Sequence, residues 1–296
     1  MTLLTSELIQ LRDHEMKPEK MPVTAASYQA YLNSPYKSSK HSTYFDVYDK
    51  LFSPYVGKPI TFVEIGVLSG GSLFMWREFF GPQARIIGVE LNPGAKRWEQ
   101  EGFEIFIGSQ SDPAFLEKLA NEIGEIDIVL DDGGHTYEQQ IITTECLLPH
   151  IRDGGMLVVE DTHTSYMEGF GPKHRSFVKY AMSMVDRVNR RFSKLLSDAA
   201  EKRVWGIRFY ESFVIFDVNR KATSIVSVPT DNGGEDLNAK DFRHADNQTY
   251  ENFLKASKSL SALKVIPGTR SLAKLARHVI SLPSNLKHAR KLKEFF

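Results

Sequence analysis

From about residue 60 the chain alternates short, nearly all-apolar runs with longer stretches of helical periodicity. The runs Ile60–Val67, Arg85–Glu90, Phe103–Ile107, Ile126–Asp131 and Met156–Glu160 read as strands. The stretches near 72–80, 95–101, 112–123, 136–148 and 172–199 read as helices. Strands that are apolar on both faces and separated by helices predict a parallel sheet covered on both sides. Right-handed crossovers then wind the chain doubly about that sheet. Val204–Tyr210 and Ser212–Val218 follow, separated only by Glu211. That gap cannot hold a crossover helix and predicts an antiparallel hairpin.

The expected organisation has three parts. Residues 1–55 form an irregular lead-in and lid segment, broken by Pro18, Pro22 and Pro35. Residues 56–218 form the α/β domain, with five parallel strands and a terminal antiparallel hairpin making seven. Residues 219–296 are a polar excursion (Asp231–Asp236, Asn238–Asn247) followed by amphipathic stretches near 249–264 and 270–282. Pro283 should interrupt the last of these before a basic segment at 284–293.

Composition changes this picture only at the edges. Lys+Arg and Asp+Glu both total 37, which removes any whole-molecule argument for nucleic acid. Residues 267–296 nevertheless carry seven Lys/Arg and one acid, Glu294, leaving 30 basic and 36 acidic residues in 1–266. Cys146 is the single cysteine, so no intrachain disulfide can form and a reducing cytoplasm is the expected setting. No apolar run approaches the roughly 20 residues of a membrane span. The N-terminus, with Glu7, Asp13 and Glu15, lacks a secretory pattern.

The segment VEIGVLSGGS (63–72) combines strand, glycine turn and helix start, the place where a Rossmann-like sheet receives its ligand. A dinucleotide site needs a second glycine so that backbone can approach the pyrophosphate. Here Leu68 stands at that position, and Glu64 would repel a pyrophosphate but suit a ligand carrying an amine and a sulfonium. The loop therefore favours S-adenosylmethionine, with Glu64, Gly66, Ser69, Gly70 and Ser72 as candidate contacts. Glu90, ending the second strand about 20 residues on, is placed to accept from both ribose hydroxyls. Gln110, in IGSQSD (107–112), is an adenine-side candidate, while Asp112 reads as a helix N-cap.

DDGGHTYEQQ (131–140) follows the fourth strand and VVEDTHTSY (158–166) closes the fifth. These strands are neighbours in the predicted topology, so Asp131, Asp132, His135, Glu160 and Asp161 converge on one cleft. Carboxylates so grouped repel one another unless a positive charge lies among them. A hard divalent cation such as Mg²⁺ meets that need. Such an ion lowers the pKa of a coordinated alcohol, and a neutral histidine can then take its proton. His135 is preferred as that base, with His163 as its competitor.

These motifs resemble the metal-dependent sugar O-methyltransferases of macrolide and related antibiotic pathways. The likeness runs over roughly residues 38–218, through KHSTYFDVYDKLF (40–52), VEIGVLSGGS, GVELNP, GSQSD, DDGGH and VEDTHTSY. It implies Asp132, Glu160 and Asp161 as metal ligands and His135 as general base, acting on a sugar or glycan hydroxyl. It also places Asp131 on the cofactor side, and Tyr44 and His41 near cofactor or acceptor. Tyr44 equally fits an ordinary aromatic cluster with Phe45, Tyr48 and Phe52. Gly134 replaces the serine of the family's usual DDGSH, and 219–296 is extra. A catechol-type phenol is the alternative acceptor. A nicotinamide-dependent oxidoreductase and a non-catalytic binding module are the alternatives of other kinds.

Leu272, Leu275, Ala276, Val279 and Leu282 recur at helical spacing among Lys274, Arg277 and His278, with Lys287, Arg290, Lys291 and Lys293 beyond. Such a helix either lies on an anionic membrane surface or packs on its own domain or a partner subunit of a homo-oligomer.

Overall fold

The computed structural model describes residues 24–192, 195, 200–235, 237, 242–262, 270–293 and 295. The lead-in expected over 1–23 lies outside these. The chain divides into two compact units, Met1–Val228 and Pro229–Phe296.

In the first unit, helices α1 (Ala26–Asn33) and α2 (Tyr44–Phe52) precede the sheet. The sheet is built from β1 (Thr61–Ile65), β2 (Arg85–Glu90), β3 (Glu104–Ile107), β4 (Ile126–Asp131), β5 (Ile151–Val159), β6 (Val204–Tyr210) and β7 (Phe213–Val218). Helices α3 (Gly71–Phe80), α4 (Pro113–Ile123), α5 (Tyr137–Leu147) and α6 (Phe177–Asn189) connect them. The strand order is β3-β2-β1-β4-β5-β7-β6, with β7 antiparallel to both β5 and β6. This is the expected α/β sheet of five parallel strands plus a hairpin.

Period-two alternation sorts the strand residues onto two faces. Phe62, Ile128, Leu130, Met156 and Val158 join an aromatic-rich core with Phe45, Tyr48, Phe52, Trp76 and Phe80 of α2 and α3. Val63, Ile65, Val129, Leu157 and Val159 join the opposite core with Leu116, Leu147, Phe177 and Met184 of α4, α5 and α6. The face that a strand-end residue takes is thereby set by its parity.

Caps explain where several elements begin. The Asp112 side chain accepts from the backbone N–H of Ala114 at 2.9 Å, the expected N-cap. Thr136 and Gln139 form a capping box at α5, so neither Asp131 nor Asp132 is needed as a cap there. Ser176 caps α6 from an extended backbone, which starts that helix at Phe177 rather than near 172. Pro93 begins a 3₁₀ turn over Pro93–Glu101 where a regular helix was expected.

The second unit holds α8 (Gln248–Ala262) and α9 (Arg270–Leu292), with the one-turn α7 (Arg220–Thr223) lying before it in the first. The break expected at Pro283 does not occur, because α9 runs through it. Proline removes one N–H and leaves the Val279 carbonyl unpaired. Val279 is exposed, so water can take that bond. No helix among the described residues is long and apolar enough to cross a membrane.

At the turn after β1, Gly66 has φ +92°, and a Cβ there would collide with the backbone carbonyl of Asp132. This close approach seals the β1 and β4 loops together. Gly81 has a similar φ of +90° but open space around it. Gly81, with ψ 176°, holds an extended positive-φ backbone that is essentially glycine's own, so Gly81→Ala should cost only that backbone penalty of about 1–3 kcal/mol, whereas Gly66→Ala adds a backbone collision and should exceed about 3 kcal/mol. Chemical denaturation of the two variants checks the difference.

Candidate active site

The strand parity sends Glu64, Asp132 and Glu160 toward the aromatic face, where α2 and the segment before it lie. A cation from this chain meets them. The Lys40 ammonium sits 2.5 Å from Asp132 Oδ2 and 3.0 Å from Glu160 Oε2, with only 2% of its side chain exposed. The Tyr48 hydroxyl donates to Glu160 Oε1 at 2.6 Å, so both oxygens of this fully buried carboxylate are engaged. Burial by itself would lower the Lys40 pKa, but Asp132 and Glu160 outweigh it and hold the ammonium well above its ordinary value. Burial pushes the Glu160 pKa up, while the Lys40 charge and the hydrogen bonds from Tyr48 and Lys40 favour its ionised form. The sequence places a positive charge among these acids in general terms. It offers no sign that Lys40 supplies part of it, because the partners stand 92 and 120 residues away.

Glu64 is also fully buried. Its Oε2 accepts from the Ser72 hydroxyl at 2.7 Å and its Oε1 from Trp76 Nε1 at 2.9 Å. Burial pushes its pKa up to about 7. Glu64 and Ser72 thus bond to each other rather than reaching a cavity.

A different set lies at the open edge. Asp132, His135 and Asp161 each present one ligand atom, all within 4.8 Å of one another. His135 Nε2 is 3.4 Å from Asp161 Oδ2. Asp161 Oδ1 accepts from the Tyr44 hydroxyl and lies 3.8 Å from His163 Nδ1. His163 Nδ1 is in turn 2.9 Å from Ser212 Oγ. A second group, His41, Asp161 and His163, is as closely set on the far side of Asp161.

Two cavities meet here. One of about 440 Å³ is lined by Gly66, Leu68, Glu90, Gln110, Asp132, His135 and Asp161, among others. The other, about 600 Å³, is lined by His41, Tyr44, His163, Tyr166, Phe209 and Ser212, among others. Asp161 therefore stands in the first and touches Tyr44 of the second. Among the described residues the non-glycine positions with positive φ are Leu68, His135, Asp161 and Ser212, and every one of them lines a cavity. Such backbone costs about 1–3 kcal/mol each and gathers where function over-determines the geometry.

The expected cofactor residues divide. Gly66, Glu90 and Gln110 line the smaller cavity, and Tyr44 lines the larger. Gly70 is buried against the Trp98 ring and Ser69 is half-buried; neither lines the smaller cavity. Glu90 accepts from the backbone N–H groups of Val67, Leu68, Leu91 and Asn92 at 2.8–3.0 Å. Burial opposes its charge, but these four donors prevail and lower its pKa. Gln110 is a brace: it donates to Asp131 and Thr143 and accepts from the Gly134 N–H. Asp131 points to the opposite face from Asp132, buried with Gln110 and the Gly133 N–H on Oδ1. Burial raises it to about 6. A Cβ at Gly134 would meet the amide end of Gln139, the capping-box partner of Thr136.

Two carboxylates so grouped suit one divalent ion, with the imidazole beside it free to act as a base. Glu160, with Lys40 and Tyr48 on its oxygens, lies outside that group. No feature of the sequence separates it from Asp132 and Asp161, because its burial on the aromatic face exists only in the folded chain.

Residues 63–162 match a family profile described as a methyltransferase domain. The 8-demethyl-8-alpha-L-rhamnosyl tetracenomycin-C 2'-O-methyltransferase of Streptomyces olivaceus is 38% identical over 135 residues, 43% of this chain and 35% of that protein. The mycinamicin VI 2''-O-methyltransferase of Micromonospora griseorubida is 36% identical over 131 residues, 42% of this chain and 32% of that protein. The matches thus span about a third of these relatives' length. Among solved structures, the MycE methyltransferase of the mycinamycin pathway in complex with Mg, SAH and mycinamycin VI superposes with a TM-score of 0.61. It is 26% identical, covering 74% of this chain and 58% of that one.

Two outcomes follow from the buried charges. Lys40→Met leaves Glu160 and Asp132 uncompensated, so it should destabilise the fold by about 3–5 kcal/mol at neutral pH; adding Glu160→Gln should recover part of the loss in urea titrations. Glu64 is protonated in the fold up to about pH 7 but ionises near 4.5 when unfolded. Wild-type stability should therefore fall as pH rises between these values, and Glu64→Gln should escape that fall. The advantage of the variant should grow by about 3 kcal/mol from pH 4 to 8, as thermal melts across pH would measure.

Proposed function

We propose that this chain, whose residues 63–162 match a methyltransferase domain, transfers a methyl group from S-adenosylmethionine to a hydroxyl of a sugar or glycan acceptor. The observation that carries this reading is the Asp132–His135–Asp161 group at the meeting of two cavities. Named relatives are O-methyltransferases of a rhamnosyl tetracenomycin and of mycinamicin VI, and the MycE neighbour is in complex with Mg and SAH. Those relatives support the sugar acceptor over a catechol and set the nicotinamide reading aside.

In this reading the smaller cavity takes the cofactor and the larger one the acceptor. The Gly66 turn brings backbone close to the cofactor, and Glu90 receives its ribose, whose hydroxyls exchange for two of the backbone donors. Asp132 and Asp161 would hold a divalent cation such as Mg²⁺, with His135 beside them. Bound there, the ion would lower the pKa of the acceptor hydroxyl. His135 Nε2 takes the hydroxyl proton. Its placement by a left-handed backbone (φ +60°) supports a fixed imidazole. Tyr44 and His163 flank Asp161 from the acceptor side and orient its carboxylate. Lys40 neutralises Glu160 and shares Asp132, so the site keeps fewer uncompensated charges before ligand arrives. Positioning two substrates across this wall supplies much of the acceleration. A cytoplasmic setting belongs to the same reading, consistent with Cys146 as a free, half-buried thiol.

Calorimetry should show S-adenosylmethionine binding and no binding of NADH; the reverse would end the proposal. His135→Ala should reduce methyl incorporation into a rhamnoside by about 10²–10⁴-fold while leaving cofactor affinity within about threefold. Undiminished turnover in that variant would move the base to His163.

A further inference from the structure

Helix α9 presents an apolar stripe that its own unit does not cover. Leu272, Leu275, Val279, Leu282 and Leu286 follow one another at spacings of 3, 4, 3 and 4 and are 67, 60, 54, 42 and 63% exposed. At 3.6 residues per turn they fall within an arc of about 80°. The side of α9 that meets α8 is elsewhere: Ser284 is buried, and His288 Nε2 is 2.9 Å from Asn247 Nδ2. Those two positions lie roughly opposite the stripe on the helical wheel. The stripe is therefore not the face that holds the helix pair together.

Charge identifies what the stripe fits. Between Arg270 and Lys293 the chain carries Arg270, Lys274, Arg277, Lys287, Arg290, Lys291 and Lys293, and no Asp or Glu. A second copy of α9 set against the stripe would bring two uniformly basic helices together without an acid on either. A nucleic acid would satisfy the bases but leave the leucines in water. An anionic bilayer surface answers both features, burying the leucines at the headgroup boundary while its phosphates attract the cations. The helix is not apolar enough to span, so it would lie in the interface plane.

We infer that α9 is a peripheral anchor that docks this chain on anionic lipid bilayers. The inference is independent of the methyl-transfer reading, because neither the stripe nor its bases belong to the site.

The test is flotation of the full chain with vesicles of phosphatidylcholine alone or mixed with phosphatidylglycerol. The chain should float with the mixed vesicles, bind the neutral ones at least about tenfold more weakly, and be released by high salt. Leu275→Glu with Val279→Glu should abolish flotation, and Lys287→Glu with Arg290→Glu should weaken it about tenfold or more. Circular dichroism and thermal melts establish that these variants stay folded. Equal binding to both vesicle types, or no binding to either, would overturn the anchor. So would a dimer in sedimentation equilibrium that Leu275→Glu with Val279→Glu dissociates.

Discussion

A buried ammonium between two strand-end carboxylates is the interaction on which the rest of the site depends. Asp132 and Glu160 leave β4 and β5 on the same face, and water is excluded from Glu160 altogether. Without Lys40 these acids would repel in a medium where charges are weakly screened. With it, the segment before α2 is tied to the sheet by two ion pairs, and α2 itself by the Tyr48 hydroxyl on Glu160. That tie brings Tyr44, on the first turn of α2, to Asp161. The lead-in thereby becomes one wall of the site.

The strain in the loops is held by backbone and capping hydrogen bonds. His135 and Asp161 hold left-handed backbones although neither is glycine. The loops are gripped at their bases: Asp132 N–H donates to the Ile65 carbonyl and Glu160 N–H to the Asp131 carbonyl. The capping box at Thr136 fixes the far end of the first loop, and the Thr164 hydroxyl bonds the carbonyls of both His135 and Asp161. Side chains so held need little reorganisation when a ligand arrives, which is what preorganised catalysis requires.

Much of the fold was legible because strand and helix periodicities are local. The all-apolar runs, the one-residue gap at Glu211 and the Asp112 cap each carry their meaning within a few residues. The missed features are those in which neighbours decide. Ser176 begins α6 later than the apolar pattern suggests, and exposure lets α9 continue through Pro283. At the site, the two acidic motifs were legible as a cluster on adjoining strand ends. Their division was not: Asp132 and Asp161 reach the cavity, while Glu64 serves Ser72 and Trp76, and Glu160 serves Lys40 and Tyr48.

The chain's own order of residues determined the sheet, the glycine turn, and the gathering of acids and histidines at one edge, since all of these rest on spacing along a strand or across a crossover. Tertiary structure alone decided which carboxylates face solvent and which are neutralised from within. An ion pair between residues about a hundred positions apart leaves no periodic trace, and the burial that raises or lowers each acid's pKa exists only once both faces of the sheet are covered.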